Sequence, residues 1–110
     1  MDNLKKVESY DFVNSNFSGS LNLPVCKQIG VYAFLNSNFS GSLNLPMCTF
    51  IGEYAFLNSS FTQITIGTNA VLGADCIGAH STEFINDYAA NNKKAGTYVW
   101  DEATQHWIYQ

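Results

Sequence analysis

Residues 12–33 read FVNSNFSGSLNLPVCKQIGVYA, and residues 34–55 read FLNSNFSGSLNLPMCTFIGEYA. The two segments align without gaps, and they differ at only 5 of their 22 positions. The repeat continues more weakly over residues 58–66, where the unit is one residue shorter. A period of 22 residues falls in the range of leucine-rich repeats, so the sequence predicts a solenoid of stacked coils.

Each repeat unit predicts its own succession of elements. Residues 20–24 and 42–46, Ser-Leu-Asn-Leu-Pro, alternate polar and apolar side chains and predict a short half-buried strand that the proline ends. The apolar residues of 29–34 then follow at helical spacing and predict one or two helical turns. We therefore expect an α/β fold: a short, right-handed β/α leucine-rich-repeat solenoid with parallel strands.

The predicted coils belong to one domain of 110 residues. Residues 1–66 form the coils with the 22-residue period, and residues 67–82 read as a degenerate last coil. Residues 83–110 then predict a C-terminal helix followed by an aromatic β-hairpin, which together would cap the stack.

The boundaries of the cap follow from helix and turn signals. Thr82 is the predicted N-cap of a helix over residues 83–94, and Gly96 is its predicted stop. Two short aromatic strands around a polar turn within residues 97–109 predict the hairpin.

Charge and hydropathy exclude several kinds of partner. The chain carries 9 acidic and 5 basic groups, contains no arginine and has its lysines scattered, so no basic surface for nucleic acid is expected. The longest apolar run covers only residues 31–35, so no membrane insertion is expected. The polar first residues do not resemble a signal peptide.

No pattern of reactive side chains predicts catalysis. Cys76 and His80 stand near Asp75, but one cysteine and one histidine lack the second ligand pair of a zinc site. A packed thiol and a solvated imidazole explain them better. We therefore expect a protein that is not an enzyme, with no catalytic residues, no metal site and no cofactor.

Cys26 and Cys48 occupy the same position in successive coils, about 5 Å apart by the spacing of neighbouring strands. That distance permits a disulfide, although side chains stacked in parallel rarely have the required Cβ geometry. Two buried thiols in a core ladder are the favoured alternative, and both states remain open.

Two surfaces are candidates for ligand binding. The first is the solvent face of the predicted strands, where polar side chains would form a regular grid of Ser20, Asn22, Ser42, Asn44, Gln63 and Thr65. The second is an aromatic platform on the hairpin, made of Tyr98, Trp100, Trp107 and Tyr109. The same aromatic side chains are also explained if they cap the hydrophobic end of the stack. Buried indoles would indicate a cap, whereas two exposed coplanar indoles would indicate a sugar-binding platform.

The N-terminal end of the repeat array lacks a strand. Residues 4–12 are the back half of a repeat unit whose strand is missing, so the first full strand presents an unpaired edge. We expect either that the chain is a fragment of a longer protein or that this edge mediates self-association.

The segment Ile29-Gly30-Val31-Tyr32-Ala33-Phe34 and its copy over residues 51–56 resemble the Ile-Gly-x-x-Ala-Phe segment of BspA-type leucine-rich repeats. The resemblance covers residues 4–66. It implies a cell-surface or secreted recognition and adhesion module that binds an extracellular protein or glycan through its solenoid. A carbohydrate-binding module that uses the aromatic hairpin and a purely structural stalk are the alternatives.

Overall fold

Two β-sheets run along the molecule, and each coil of the repeat contributes one strand to each sheet. The computed structural model describes residues 2–110, so only residue 1 of the predicted coils lies outside it. The elements in chain order are β1 (Lys6–Val7), β2 (Ser18–Asn22), β3 (Gln28–Ile29), β4 (Asn38–Leu45), β5 (Phe50–Ile51), β6 (Gln63–Ile66), β7 (Val71–Leu72), α1 (Ser81–Ala90), β8 (Gly96–Asp101) and β9 (His106–Tyr109).

The narrow sheet has the strand order β1-β3-β5-β7, and the wide sheet has the order β2-β4-β6-β8-β9. All pairs in the narrow sheet are parallel, as are β2–β4 and β4–β6 in the wide sheet. Leu21, Leu43 and Ile64 lie side by side across three strands and are buried. The prediction of a solenoid with parallel strands is confirmed, and the stack has about three turns.

The predicted helical turns over residues 29–34 are wrong, because this segment forms β3 and a series of turns. Tyr32 and Phe34 donate their N–H groups to the next coil, at 3.1 Å to Glu53 O and 2.7 Å to Ala55 O. Leu35 N instead donates back to Tyr32 O at 3.3 Å. Alternate N–H groups of this segment thus pair with other coils, whereas a helix would pair all of them locally.

The core is built from columns of identical side chains in successive coils. Phe12, Phe34 and Phe56 stack with ring centroids 5.0 and 4.9 Å apart, and we call them the phenylalanine column. A glycine allows the coils to approach this closely, since a Cβ on Gly52 would lie 2.6 Å from the backbone nitrogen of Val31. The Gly and the aromatic residue of the repeated motif therefore serve coil-to-coil packing.

The cap has the predicted helix and hairpin, with different helix bounds. Helix α1 begins at Ser81, whose hydroxyl accepts from Ile77 N at 3.1 Å and donates to Gly78 O at 2.6 Å, so Thr82 is not the N-cap. The helix ends at Ala90, before the predicted stop, because Asn92 and the residue after it have positive φ angles of 58° and 51°.

Strand β8 pairs antiparallel with β6, and β9 pairs antiparallel with β8. The hairpin therefore extends the wide sheet at the C-terminal end of the stack. At the other end, β2 pairs only with β4 among the described residues.

Candidate functional site

A row of polar side chains crosses four strands on the outer face of the wide sheet. Asn22, Asn44, Thr65 and Thr97 are in register from β2 to β8, and we call them the polar row. The amide of Asn44 donates to Asn22 Oδ1, and the hydroxyls of Thr65 and Thr97 lie 2.7 Å apart. These contacts hold neighbouring side chains in fixed orientations. Thr97 was not among the predicted site residues, because nothing in the sequence indicates that the hairpin pairs with β6.

A second line of outward-facing residues runs beside the polar row. Ser42 and Gln63 are in register, and the line continues onto the hairpin with Val99 and Ile108. The predicted grid is therefore polar over the repeat coils and becomes apolar on the cap, where Ile108 is 44 % exposed. Ligand contacts on this line would change from hydrogen bonds to apolar packing as it reaches the hairpin.

Ser20 does not belong to the grid in the predicted way. Its Oγ accepts a hydrogen bond from the backbone N–H of Ser42 at 2.9 Å, so it takes the place of a strand carbonyl. The cause is a register shift between Gly19 and Leu21, with Gly19 at a φ of 73°. Ser20 thus joins the first two strands of the sheet, and much of its acceptor capacity is used there.

The outer face is suited to neutral hydrogen bonding. Asn22 is exposed, and Ser42, Asn44, Gln63 and Thr65 are half-buried. Their amides and hydroxyls supply both donors and acceptors at the strand spacing of about 4.8 Å. Hydrogen bonds between strands already orient the side chains of the polar row. Ligand binding would therefore cost less side-chain conformational entropy.

The four aromatic residues of the hairpin point to the opposite face of the sheet. Tyr98 is paired with the buried Ile64, so both lie on the inner side. Strand alternation and pairing place Trp100, Trp107 and Tyr109 on that same side, against helix α1 and the core. The predicted aromatic platform is therefore not assembled, because Tyr98 and Trp107 are 1 % and 3 % exposed.

The indoles are held by contacts within the cap. Trp107 Nε1 donates to His80 O at 3.1 Å, and the ring plane of Trp107 is tilted by 58° from that of Trp100. Trp100 is half-buried, stacks on the His80 imidazole at 3.8 Å and donates from Nε1 to Glu102 at 2.7 Å. That hydrogen bond lowers the pKa of Glu102. The aromatic residues thus serve the packing of the cap.

The three cysteines are free thiols in the core. Cys26 and Cys48 donate to Gln28 O at 3.3 Å and Phe50 O at 3.2 Å, respectively, which agrees with the thiol ladder rather than the disulfide. Burial raises the pKa of Cys48 to about 11 and that of Cys76 to about 12. Both thiols are therefore protonated near neutral pH and are poor nucleophiles.

Other features of the described chain add no reactive cluster. Within residues 2–110, no three histidine, cysteine, aspartate or glutamate side chains lie close enough together to hold a metal ion. A cleft of about 240 Å³ is lined by residues of β1 and β3 and by Phe50, and Lys6 and Glu8 in its wall pair at 3.5 Å. Its only charged side chains already pair with each other.

The fold and the outer face together define a β-solenoid repeat protein whose C-terminal end is capped by α1 and the hairpin. No protein-family model, curated protein or solved structure matches this chain. Over the described residues, no helix has both the length and the hydropathy that crossing a bilayer requires.

Proposed function

We propose that this protein is a non-enzymatic recognition module that binds an extended protein ligand through the outer face of the wide sheet. The observation that carries the proposal is the polar row, in which Asn22, Asn44, Thr65 and Thr97 are joined in pairs by hydrogen bonds across β2, β4, β6 and β8. A row of this kind offers an extended chain a regular series of donors and acceptors.

The resemblance to BspA-type leucine-rich repeats supports the biological setting of the proposal. The motif over residues 29–34 and its copy over 51–56 supply the close coil packing, with turns where a β/α repeat would have a helix. On this basis we place the coils with leucine-rich repeats of that kind and assign the protein to the cell surface or the secreted fraction, where it would mediate adhesion.

The polar row favours a protein ligand, because a polypeptide in extended form carries alternating backbone donors and acceptors that amides and hydroxyls can pair. Such pairing adds affinity only where the ligand replaces the water that the side chains lose. The half-buried positions Asn44 and Thr65 lie in the middle of the row, so we expect their contacts to contribute most.

The test is biolayer interferometry of the purified chain against immobilised matrix glycoproteins and polysaccharides. The decisive variant combines Asn44→Ala with Thr65→Ala, which removes one amide and one hydroxyl from the row. We expect its Kd for a protein ligand to rise at least about tenfold, which corresponds to about 1.4 kcal/mol. The matched control is Lys27→Thr, which installs the residue of the next coil, Thr49, outside the wide sheet and should leave the Kd unchanged.

Three results would contradict the proposal. Equal binding by the double variant and the parent would show that the polar row makes no contact. Binding that is confined to polysaccharides and lost in Trp100→Ala would move the site to the hairpin, and absence of binding across the whole panel would favour the structural stalk. Far-UV circular dichroism of each variant checks that it is folded.

A further inference from the structure

Both sheets end at the N-terminal side of the stack in strands that have a neighbour on one side only. These are β1 in the narrow sheet and β2 in the wide sheet. The phenylalanine column ends at the same place with the half-buried Phe12, and beside it Tyr10, which stacks on Tyr32 at 5.4 Å, is 60 % exposed. Among the described residues nothing covers this end, whereas α1 and the hairpin cover the other.

The chain contains an internal control for the effect of a missing neighbour. Residues 16–23 and 38–45 have the same sequence, NFSGSLNL. Between two neighbours, residues 38–45 form the eight-residue strand β4. With one neighbour, the same sequence forms only the five-residue β2, with Gly19 at a φ of 73° and a shift in register. The sequence is therefore compatible with a full strand, and the second neighbour is what β2 lacks.

We infer that the free edge of β2 pairs with the same edge of a second copy of this chain. A two-fold axis perpendicular to the wide sheet makes this pair antiparallel and keeps the inner faces of both copies on the same side. Because such an interface uses the same surface of both copies, the assembly closes at two.

The pattern of β2 is self-complementary in this arrangement. In β4 the same sequence turns Phe39, Leu43 and Leu45 inward, and with that alternation residues 17–23 give the same order of polar and inward-facing positions in either direction from Ser20. An antiparallel pair centred on Ser20 therefore sets Phe17 opposite Leu23 and Ser18 opposite Asn22 of the second copy. Apolar positions thus meet apolar ones on the inner face, and polar positions meet on the outer face.

Charge supports the same symmetry in the narrow sheet. Lys6 and Glu8 stand on either side of the buried Val7 at the free edge. An antiparallel pair of β1 strands centred on Val7 sets each Lys6 opposite Glu8 of the second copy. Opposite charges in that position stabilise a strand pair, whereas like charges would oppose it.

The decisive backbone group is the N–H of Asn22. The N–H of Leu23 donates to Asn44 O at 3.0 Å, toward β4. Since successive residues of a strand direct their N–H groups to opposite edges, the N–H of Asn22 points to the free edge. Proline at this position removes that donor, and an edge strand tolerates proline.

The experiment compares sedimentation velocity of the parent, Asn22→Pro and Asn22→Ala over a concentration series. Both variants lose the side-chain contact with Asn44, so they differ in the backbone donor and the proline ring. We expect the parent and Asn22→Ala to dimerise, and Asn22→Pro to raise the dimer dissociation constant at least about tenfold. A parent that stays monomeric at its highest soluble concentration would overturn the inference, as would equal dimerisation of the two variants.

Hydrogen exchange of the Asn22 amide in the parent protein decides the question if Asn22→Pro fails to fold. Protection that rises with protein concentration supports the inference, and protection independent of concentration contradicts it. The variant Phe50→Gln replaces the exposed Phe50 with glutamine, the residue found at the equivalent position 28 of the preceding coil. It tests the exposed apolar side of the narrow sheet. A dimer lost in Phe50→Gln and kept in Asn22→Pro would assign the interface to the narrow sheet and overturn the inference.

Discussion

Replacing Phe34 with alanine tests whether the phenylalanine column stabilises the stack. Phe34 is 0 % exposed and lies between Phe12 and Phe56, with centroid distances of 5.0 and 4.9 Å. Truncation of a fully buried phenylalanine typically costs about 3–5 kcal/mol, because the lost burial adds to the cavity that remains. A domain of this size has a total stability of about 5–15 kcal/mol, so the loss would be a large part of it.

The repeat supplies a matched control for this substitution in Phe12→Ala. Phe12 occupies the same position one coil earlier, but it is half-buried and stacks on one member of the column instead of two. With about half of the burial and one stacked neighbour, we expect Phe12→Ala to cost about 1–2 kcal/mol. The two variants remove the same atoms, so their difference reports the position in the stack.

Equilibrium unfolding in urea, followed by tryptophan fluorescence and far-UV circular dichroism, measures both losses. Coincidence of the two signals would show that the cap and the coils unfold together, and an unchanged m-value would show that the denatured state is unaffected. Equal losses for the two variants would refute the reasoning. A loss below about 2 kcal/mol for Phe34→Ala would refute it as well.

Two further predictions concern the core thiols and the docking of the cap. Because burial raises the pKa of Cys48 to about 11 and of Cys76 to about 12, the unfolded chain ionises first as the pH rises above about 8.5. The free energy of unfolding, measured in urea, should therefore be at its full value below that pH. Above it, the free energy of unfolding should fall by up to about 1.4 kcal/mol per pH unit for each thiol. A free energy of unfolding that stays constant to about pH 10 would contradict the burial of the thiols. Asp87 accepts from the backbone N–H of Trp107 at 2.7 Å and from His106 at 2.9 Å, so Asp87→Ala should cost about 1–3 kcal/mol in thermal unfolding. Asp87→Asn keeps an acceptor and should cost less, and an equal loss would count against this role.

The sequence predicts the stacking of coils because near-identical segments favour the same local structure, and no single unit can bury its apolar side chains alone. It also predicts two strands of the wide sheet, over residues 20–24 and 42–46, since leucine alternates with serine and asparagine there; the structure places them at Ser18–Asn22 and Asn38–Leu45. It does not predict the turns over residues 29–34. Apolar residues at helical spacing also arise where every second backbone N–H bonds to another coil. Tyr32 adopts a left-handed conformation with a φ of 58°, but a tyrosine in the sequence does not indicate such a conformation.

The side of the sheet on which the hairpin residues lie depends on a pairing that local sequence does not encode. A shift of one residue between β6 and β8 would move Trp100 and Tyr98 to the outer face. The observed register, with Ile64 opposite Tyr98, is the one that buries Tyr98 against helix α1. Burial of the aromatic rings therefore selects the register, and the register places Thr97 in the polar row.

The polar row joins the two unlike ends of the molecule. Thr97 comes from the cap and contacts Thr65, and both are half-buried, whereas Asn22 is exposed on the edge strand β2. Thr97 thus has a neighbouring strand on each side, whereas Asn22 has a neighbouring strand on one side only. A partner that completes β2 would order that end as well, so we expect dimerisation at the edge to increase the affinity of the outer face for an extended ligand.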